Sequence, residues 1–169
     1  MITKKIILIG DFSTGKTSLI RQFVDNQFSD EYLTTIGVKI SKKIINIQED
    51  LEIQLLVWDI EGQTDVKAIN PAYVMGAHGV IIVADLTRQK SIVNIKEHLA
   101  LSSKIIKNAP VIIALNKSDL LDNSSKIETT ITEIKSSYSN ISHIYPTSAK
   151  TGLNVELIFQ NITKSILKI

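Results

Sequence analysis

The sequence predicts an α/β fold: a six-stranded, mostly parallel sheet with one antiparallel edge strand, flanked by about five helices. Three observations predict it. Short β-branched runs alternate with longer amphipathic runs along the chain, the pattern of strand–helix units around a parallel sheet. The first apolar run, ending at Ile9, meets a glycine-bounded loop that leads straight into an amphipathic segment. The second and third strand-like runs are separated only by Gln48, Glu49 and Asp50, short enough for a hairpin and too short for a parallel crossover.

Each element follows in order. Lys5 to Ile9 reads as a buried strand. Lys16 to Asp25 reads as a helix, with Leu19, Ile20, Phe23 and Val24 on one side. Gly37 to Ile47 and Leu51 to Trp58 are strand-like, and in the latter Leu51, Ile53, Leu55 and Val57 alternate with other residues. Val80 to Leu86 and Val111 to Leu115 are further buried strands, and between them Ile92, Ile95, Leu99 and Ile106 share one helix face. Ile127, Ile131, Ile134 and Tyr138 mark another helix, Ile141 to Tyr145 a last short strand, and Val155, Ile158, Phe159, Ile162 and Ile166 a closing helix. No linker divides the chain, so residues 1–169 are expected to form one domain. In such sheets ligands bind beyond the carboxyl ends of the parallel strands. The chemistry is therefore expected in the loops after Ile9, Trp58, Leu115 and Tyr145.

Composition narrows the function. The chain is 44% hydrophobic and 21% charged with a net charge of +2, and its acids and bases are interspersed, which argues against a nucleic-acid face. It contains no cysteine, which excludes disulfides, thiolate metal sites, cysteine nucleophiles and a prenylation site within this chain. His78, His98 and His143 lack metal-ligand spacing. No apolar run approaches the roughly 20 residues of a membrane span, and Ile6 to Ile9 is too short for the core of a signal peptide. The expectation is a cytoplasmic monomer that meets a membrane peripherally only if a tail absent here carries a lipid.

Gly10-Asp11-Phe12-Ser13-Thr14-Gly15-Lys16-Thr17 fits G-x-x-x-x-G-K-[ST], after a strand and opening a helix. Glycines allow the curvature that turns successive N–H groups onto phosphate oxygens, and the helix N-terminus adds partial positive charge. Asp11, Phe12, Ser13, Thr14, Gly15, Lys16, Thr17 and Ser18 are the expected phosphate-binding run. Lys16 is assigned to the β- and γ-phosphates, with a catalytic role, and the Thr17 hydroxyl to Mg²⁺. This loop alone leaves ATP and GTP equally open.

The base is chosen elsewhere. Asn116-Lys117-Ser118-Asp119 follows a buried strand. A carboxylate at Asp119 can accept from guanine N1–H and the 2-amino group, neither of which adenine offers. Asn116 can tether neighbouring loops and the Lys117 stem can cover the base. Ser148-Ala149-Lys150 follows the last strand and can offer the Ala149 N–H to guanine O6, while Phe28 can stack on the base edge.

Two further loops suit a γ-phosphate sensor. In Val57-Trp58-Asp59-Ile60-Glu61-Gly62-Gln63, Asp59 can hold Mg²⁺ through water, the Gly62 N–H can contact the γ-phosphate, and Gln63 can orient the attacking water as a catalytic residue. Tyr32-Leu33-Thr34-Thr35-Ile36-Gly37 supplies Thr35, a second Mg²⁺ hydroxyl when the loop closes.

Over essentially its whole length the sequence resembles the Ras superfamily of small GTPases, most closely the Rab branch. Ile36-Gly37-Val38, Trp58, Ala72-Tyr73-Val74-Met75-Gly76-Ala77-His78-Gly79 and Asn154-Val155-Glu156 carry the Rab likeness. The resemblance implies a P-loop NTPase G domain that binds GTP and GDP with Mg²⁺. It implies a slow GTPase switch in vesicle traffic, with effectors, exchange factors and GTPase-activating proteins engaging residues near 30–45 and 60–76. The chain departs from the pattern at Phe12 and Ser13, at Ile60, Glu61 and Thr64, and at Lys39-Ile40. Phe12 and Glu61 are expected to hinder stimulated hydrolysis, and neither Arg21 nor Arg88 is expected to reach the γ-phosphate. A GTP-binding interaction module with little or no hydrolysis is the alternative.

Overall fold

The computed structural model describes residues 1–31, 34–49, 51–62 and 69–169. In order, the elements are β1 (Ile2–Ile9), α1 (Lys16–Asp25), β2 (Val38–Gln48), β3 (Leu51–Ile60), α2 (Pro71–Val74), β4 (Gly79–Asp85), α3 (Gln89–Val93), α4 (Ile95–Ile105), β5 (Val111–Asn116), α5 (Ser124–Ser137), β6 (His143–Pro146) and α6 (Val155–Leu167). The six strands form one sheet in the order β2-β3-β1-β4-β5-β6. Only β2 and β3 pair antiparallel; the other neighbours are parallel. This is the expected mixed sheet with its antiparallel edge.

Strand periodicity explains the two cores. Ile6 and Leu8 of β1 face one layer, where Leu19, Phe23, Ile158, Phe159 and Ile162 pack from α1 and α6. Phe23 and Phe159 stack with ring centroids 3.8 Å apart. Ile7 and Ile9 face the other layer, closed by Val74, Ile95, Leu99 and Ile134. Burying each such side chain contributes about 1.5–3 kcal/mol.

Two departures from the sequence reading have physical causes. The expected helix between β4 and β5 breaks at Asn94, which ends α3 and starts α4 with φ −73° and ψ −8°. The break lets the Asn94 side chain reach the loop after β1, 2.9 Å from Asp11 Oδ2. The single turn α2 is too short to show helical periodicity. It is set instead by Pro71 at its first position and by Asn70, whose Oδ1 accepts from the Ala72 N–H at 3.0 Å.

β1 lies between β3 and β4, so the chain runs to opposite sides of it. The carboxyl ends therefore open a crevice at this reversal point.

Candidate functional site

The loop after β1 is shaped by close approach. A Cβ on Gly10, at φ 151°, would stand 2.2 Å from the Val83 carbonyl oxygen. One on Gly15, at φ 95°, would stand 2.2 Å from Asn116 Nδ2. Within this turn Lys16 is 5% exposed, and its Nζ donates to the Gly10 and Asp11 carbonyls at 3.0 and 2.9 Å. Burial pushes the Lys16 ammonium down to about 8, against the opposing pull of Asp59 and Asp11, and Arg88 lowers it further. Gly62 packs against the same loop: a Cβ there would stand 2.6 Å from Lys16 Nζ and 2.7 Å from Phe12 Cα.

Beside Lys16 three oxygens converge. Asp59 Oδ2 accepts from the Thr17 hydroxyl at 2.6 Å and the Thr35 hydroxyl at 3.2 Å, and the two hydroxyls are 2.8 Å apart. Asp59 Oδ1 is buried with no hydrogen-bond partner among the described residues. Burial raises the Asp59 carboxyl above its ordinary range despite the Thr17 and Thr35 bonds and the Lys16 charge. Hydroxyls around one carboxylate, with a buried oxygen left over, fit a hard cation that takes oxygen ligands, such as Mg²⁺.

The loop after β5 sits against both neighbours. Asn116 Nδ2 donates to the Thr14 carbonyl at 2.9 Å, and its Oδ1 accepts from the Ala149 N–H at 3.2 Å. Asn116 is thus the expected tether, while the Ala149 N–H, assigned from the sequence to a base oxygen, is engaged by Asn116. The Ser148 hydroxyl donates to Asp119 Oδ1 at 2.6 Å. Lys117 Nζ lies 3.0 Å from the Ser13 carbonyl and 2.7 Å from Asp85 Oδ2. Phe28, Asn116, Asp119, Ala149 and Lys150 line one hollow, and Phe12, Lys16, Thr17, Thr35 and Gly62 line another. Gly15, Ser18, Glu31 and Lys117 line both, which makes them one cleft. Gln63 lies outside the described residues, as do Tyr32 and Leu33.

Glu61 is tied to Gly37. Its Oε2 accepts from the Gly37 N–H at 2.9 Å, and its own N–H donates to the Gly37 carbonyl at 2.8 Å. The carboxylate is thus tied to the residue before β2.

The sequence reading missed the groups that hold the loop from behind. Arg88 Nη2 donates to the Phe12 carbonyl at 2.6 Å, and Arg88 Nε lies 3.1 Å from Asp85 Oδ2. Arg88, not expected to reach the γ-phosphate, thus has a role that the sequence did not suggest: it bonds the loop backbone. Burial would raise the Asp85 carboxyl, but bonds from Lys117 and Thr87 outweigh it and hold the group below the usual carboxylate range. Asp11 is held by Asn94 and by His98, whose Nε2 is 3.0 Å from Asp11 Oδ1. These contacts span 76 to 87 residues, and no local pattern announces them.

The sequence model of the Ras family matches residues 5–168. The chain is similar to Ras-related protein Rab-1 of Theileria annulata, 36% identical over 164 residues that cover 96% of this chain and 73% of that protein. It is also similar to GTP-binding protein YPTM2 of Zea mays, 35% identical over 165 residues, covering 96% and 79% respectively.

Proposed function

The chain belongs to the Ras family, as a Rab-like small GTPase, and we propose that it binds GTP and GDP with Mg²⁺, hydrolyses GTP slowly and acts as a switch in vesicle traffic. The observation that carries the reading is the meeting of Thr17, Thr35 and Asp59 beside Lys16. Three segments far apart in sequence supply one oxygen each at the mouth of a phosphate loop. Mg²⁺ held there would neutralise charge on the phosphates. Lys16 supplies a second positive charge, and below pH about 8 it is predominantly protonated. Thr35 brings the segment before β2 onto the site, and Gly62 brings the end of β3, so both can report on the terminal phosphate. Asp119, oriented by Ser148, reads guanine. Gln63 is the proposed water-orienting residue. Effectors and regulators are proposed to engage residues near 30–45 and 60–76. No helix among the described residues is long and apolar enough to cross a membrane.

Phe12 favours a second reading, a GTP-binding interaction module with little hydrolysis. It lines the phosphate side of the cleft and is 43% exposed, where an arginine from an activating protein would enter. Competition against a fluorescent GDP tests the first step. GTP is expected to win over ATP by roughly 10⁴-fold, the selectivity of a site that would leave polar partners unpaired. Equal competition by ATP would overturn the proposal. Single-turnover hydrolysis then separates the two readings: phosphate release supports the switch, and none over hours supports the module.

A further inference from the structure

We infer that Glu61 is a positioning residue that fastens the Thr35 segment to the Gly62 segment, and so keeps the Thr35 hydroxyl on the metal site. The inference rests on the nucleotide-binding reading above. The β2–β3 ladder runs out at Val38 opposite Ile60, so Gly37 and Glu61 form the next opposed pair. One main-chain bond of that pair is present, from the Glu61 N–H to the Gly37 carbonyl at 2.8 Å. The Gly37 N–H instead donates to the Glu61 carboxylate at 2.9 Å. Gly37, at φ 69°, has left the strand conformation, and the side chain of Glu61 supplies the acceptor.

The position of this ring gives it its effect. Thr35 lies two residues before Gly37 and bonds Thr17 and Asp59. Gly62 follows Glu61 directly and packs on Phe12 and Lys16. Among the described residues, apolar burial does not hold the Thr35 segment, because Ile36 between Thr35 and Gly37 is 86% exposed. Polar contacts hold it among these residues, and the carboxylate bond is charge-assisted, the stronger kind. A residue at position 61 without an acceptor would leave the Gly37 N–H to water. The bond involves none of the residues assigned to the phosphates, and it works against release of the segment.

The test is release of a fluorescent, non-hydrolysable GTP analogue in Mg²⁺ by the whole chain, with hydrogen exchange at the Gly37 amide read in parallel. Glu61→Ala is expected to speed release roughly tenfold, the scale of one lost charge-assisted bond, and to expose the Gly37 amide while β1 amides stay protected. Glu61→Gln keeps an acceptor at about half the strength and is expected to fall between the two, with release about threefold faster than wild type and the Gly37 amide still partly protected. Wild-type release and a protected Gly37 amide in Glu61→Ala would overturn the inference. So would Glu61→Gln behaving as Glu61→Ala, since an acceptor retained at position 61 would then hold nothing. If the wild-type chain binds no guanine nucleotide, the functional proposal fails alone, and Gly37 exchange in the three proteins still decides the role of Glu61.

Discussion

Removing the charge of Lys16 should stabilise the protein that lacks nucleotide. Burial lowers this ammonium from 10.5 to about 8, a difference that costs roughly 3 kcal/mol at neutral pH. The sign follows from proton binding. Below pH about 8 both folded and unfolded chains hold the proton, and the folded state bears the full penalty. Between about 8 and 10.5 the folded chain has released the proton and the unfolded chain has not, so stability rises with pH across that window. Lys16→Met keeps the alkyl stem and removes the charge. A folded pKa is already net of the bonds the ammonium makes to the Gly10 and Asp11 carbonyls, so the variant further loses only what a neutral amine would gain there, about 0.5–1.5 kcal/mol for each bond. The expected net gain at pH 7 without nucleotide or metal is about 0–2 kcal/mol, or up to roughly 6 °C in Tm for a chain of this size. With saturating GDP the order should reverse, because only wild type gains the binding free energy. Urea and thermal unfolding at pH 7 and near pH 9.5, with and without GDP, measure this. A variant less stable than wild type at pH 7 without nucleotide would refute the reasoning, as would a gap that does not narrow at the higher pH.

Asp119→Asn should shift base preference from guanine towards xanthine, read by competition of GDP and XDP for the same labelled nucleotide. Phe12→Gly should increase the hydrolysis stimulated by a Rab-type activating protein, towards the roughly 10³–10⁵-fold that an arginine supplied in trans can give; an unchanged stimulated rate would show that the ring does not obstruct. Phe159→Ala should lose about 3–5 kcal/mol of stability, because its partner Phe23 stacks on it in the sealed layer under α1 and α6, and denaturant unfolding reads it directly.

What was legible in the sequence is what lies on contiguous residues or repeats with a period. Helix α1 reads to the residue, Lys16–Asp25, because left-handed Gly15 and Asn26 bound it at φ 95° and 52°. Strand β1 reads from its continuous apolar run and β3 from the alternation of Leu51, Ile53, Leu55 and Val57. The phosphate and base loops read because residues 10–17 and 116–119 each keep their chemistry within one turn. Glu61, Arg88, Asn94 and His98 act only across folded distance. A glutamate after a strand can face a phosphate or a neighbouring backbone, and only the register of Val38 with Ile60 settles that it meets Gly37. Likewise nothing local says that an amphipathic run breaks at Asn94 so that its amide reaches Asp11.

Those distant groups explain why the phosphate loop has the shape its motif demands. Across a planar trans peptide the carbonyl of one residue and the N–H of the next point in opposite directions. Three consecutive carbonyls of the loop are drawn away from the cleft by side chains of later elements: Phe12 by Arg88 at 2.6 Å, Ser13 by Lys117 at 3.0 Å and Thr14 by Asn116 at 2.9 Å. The N–H groups of Ser13, Thr14 and Gly15 are thereby turned the other way, the arrangement that makes a concave anion cradle. The two preceding carbonyls, of Gly10 and Asp11, are occupied by Lys16, which keeps their partial negative charge off an arriving phosphate. Two of the three outward ties come from cations, where a hydrogen bond contributes about 1.5–3 kcal/mol, and both cations are anchored on Asp85. Asp85 makes no hydrogen bond to the loop among the described residues, yet it fixes the two donors that orient it. The glycines of the motif permit the curvature, and the polar contacts from β4, the turn into α3 and β5 select which curvature is adopted.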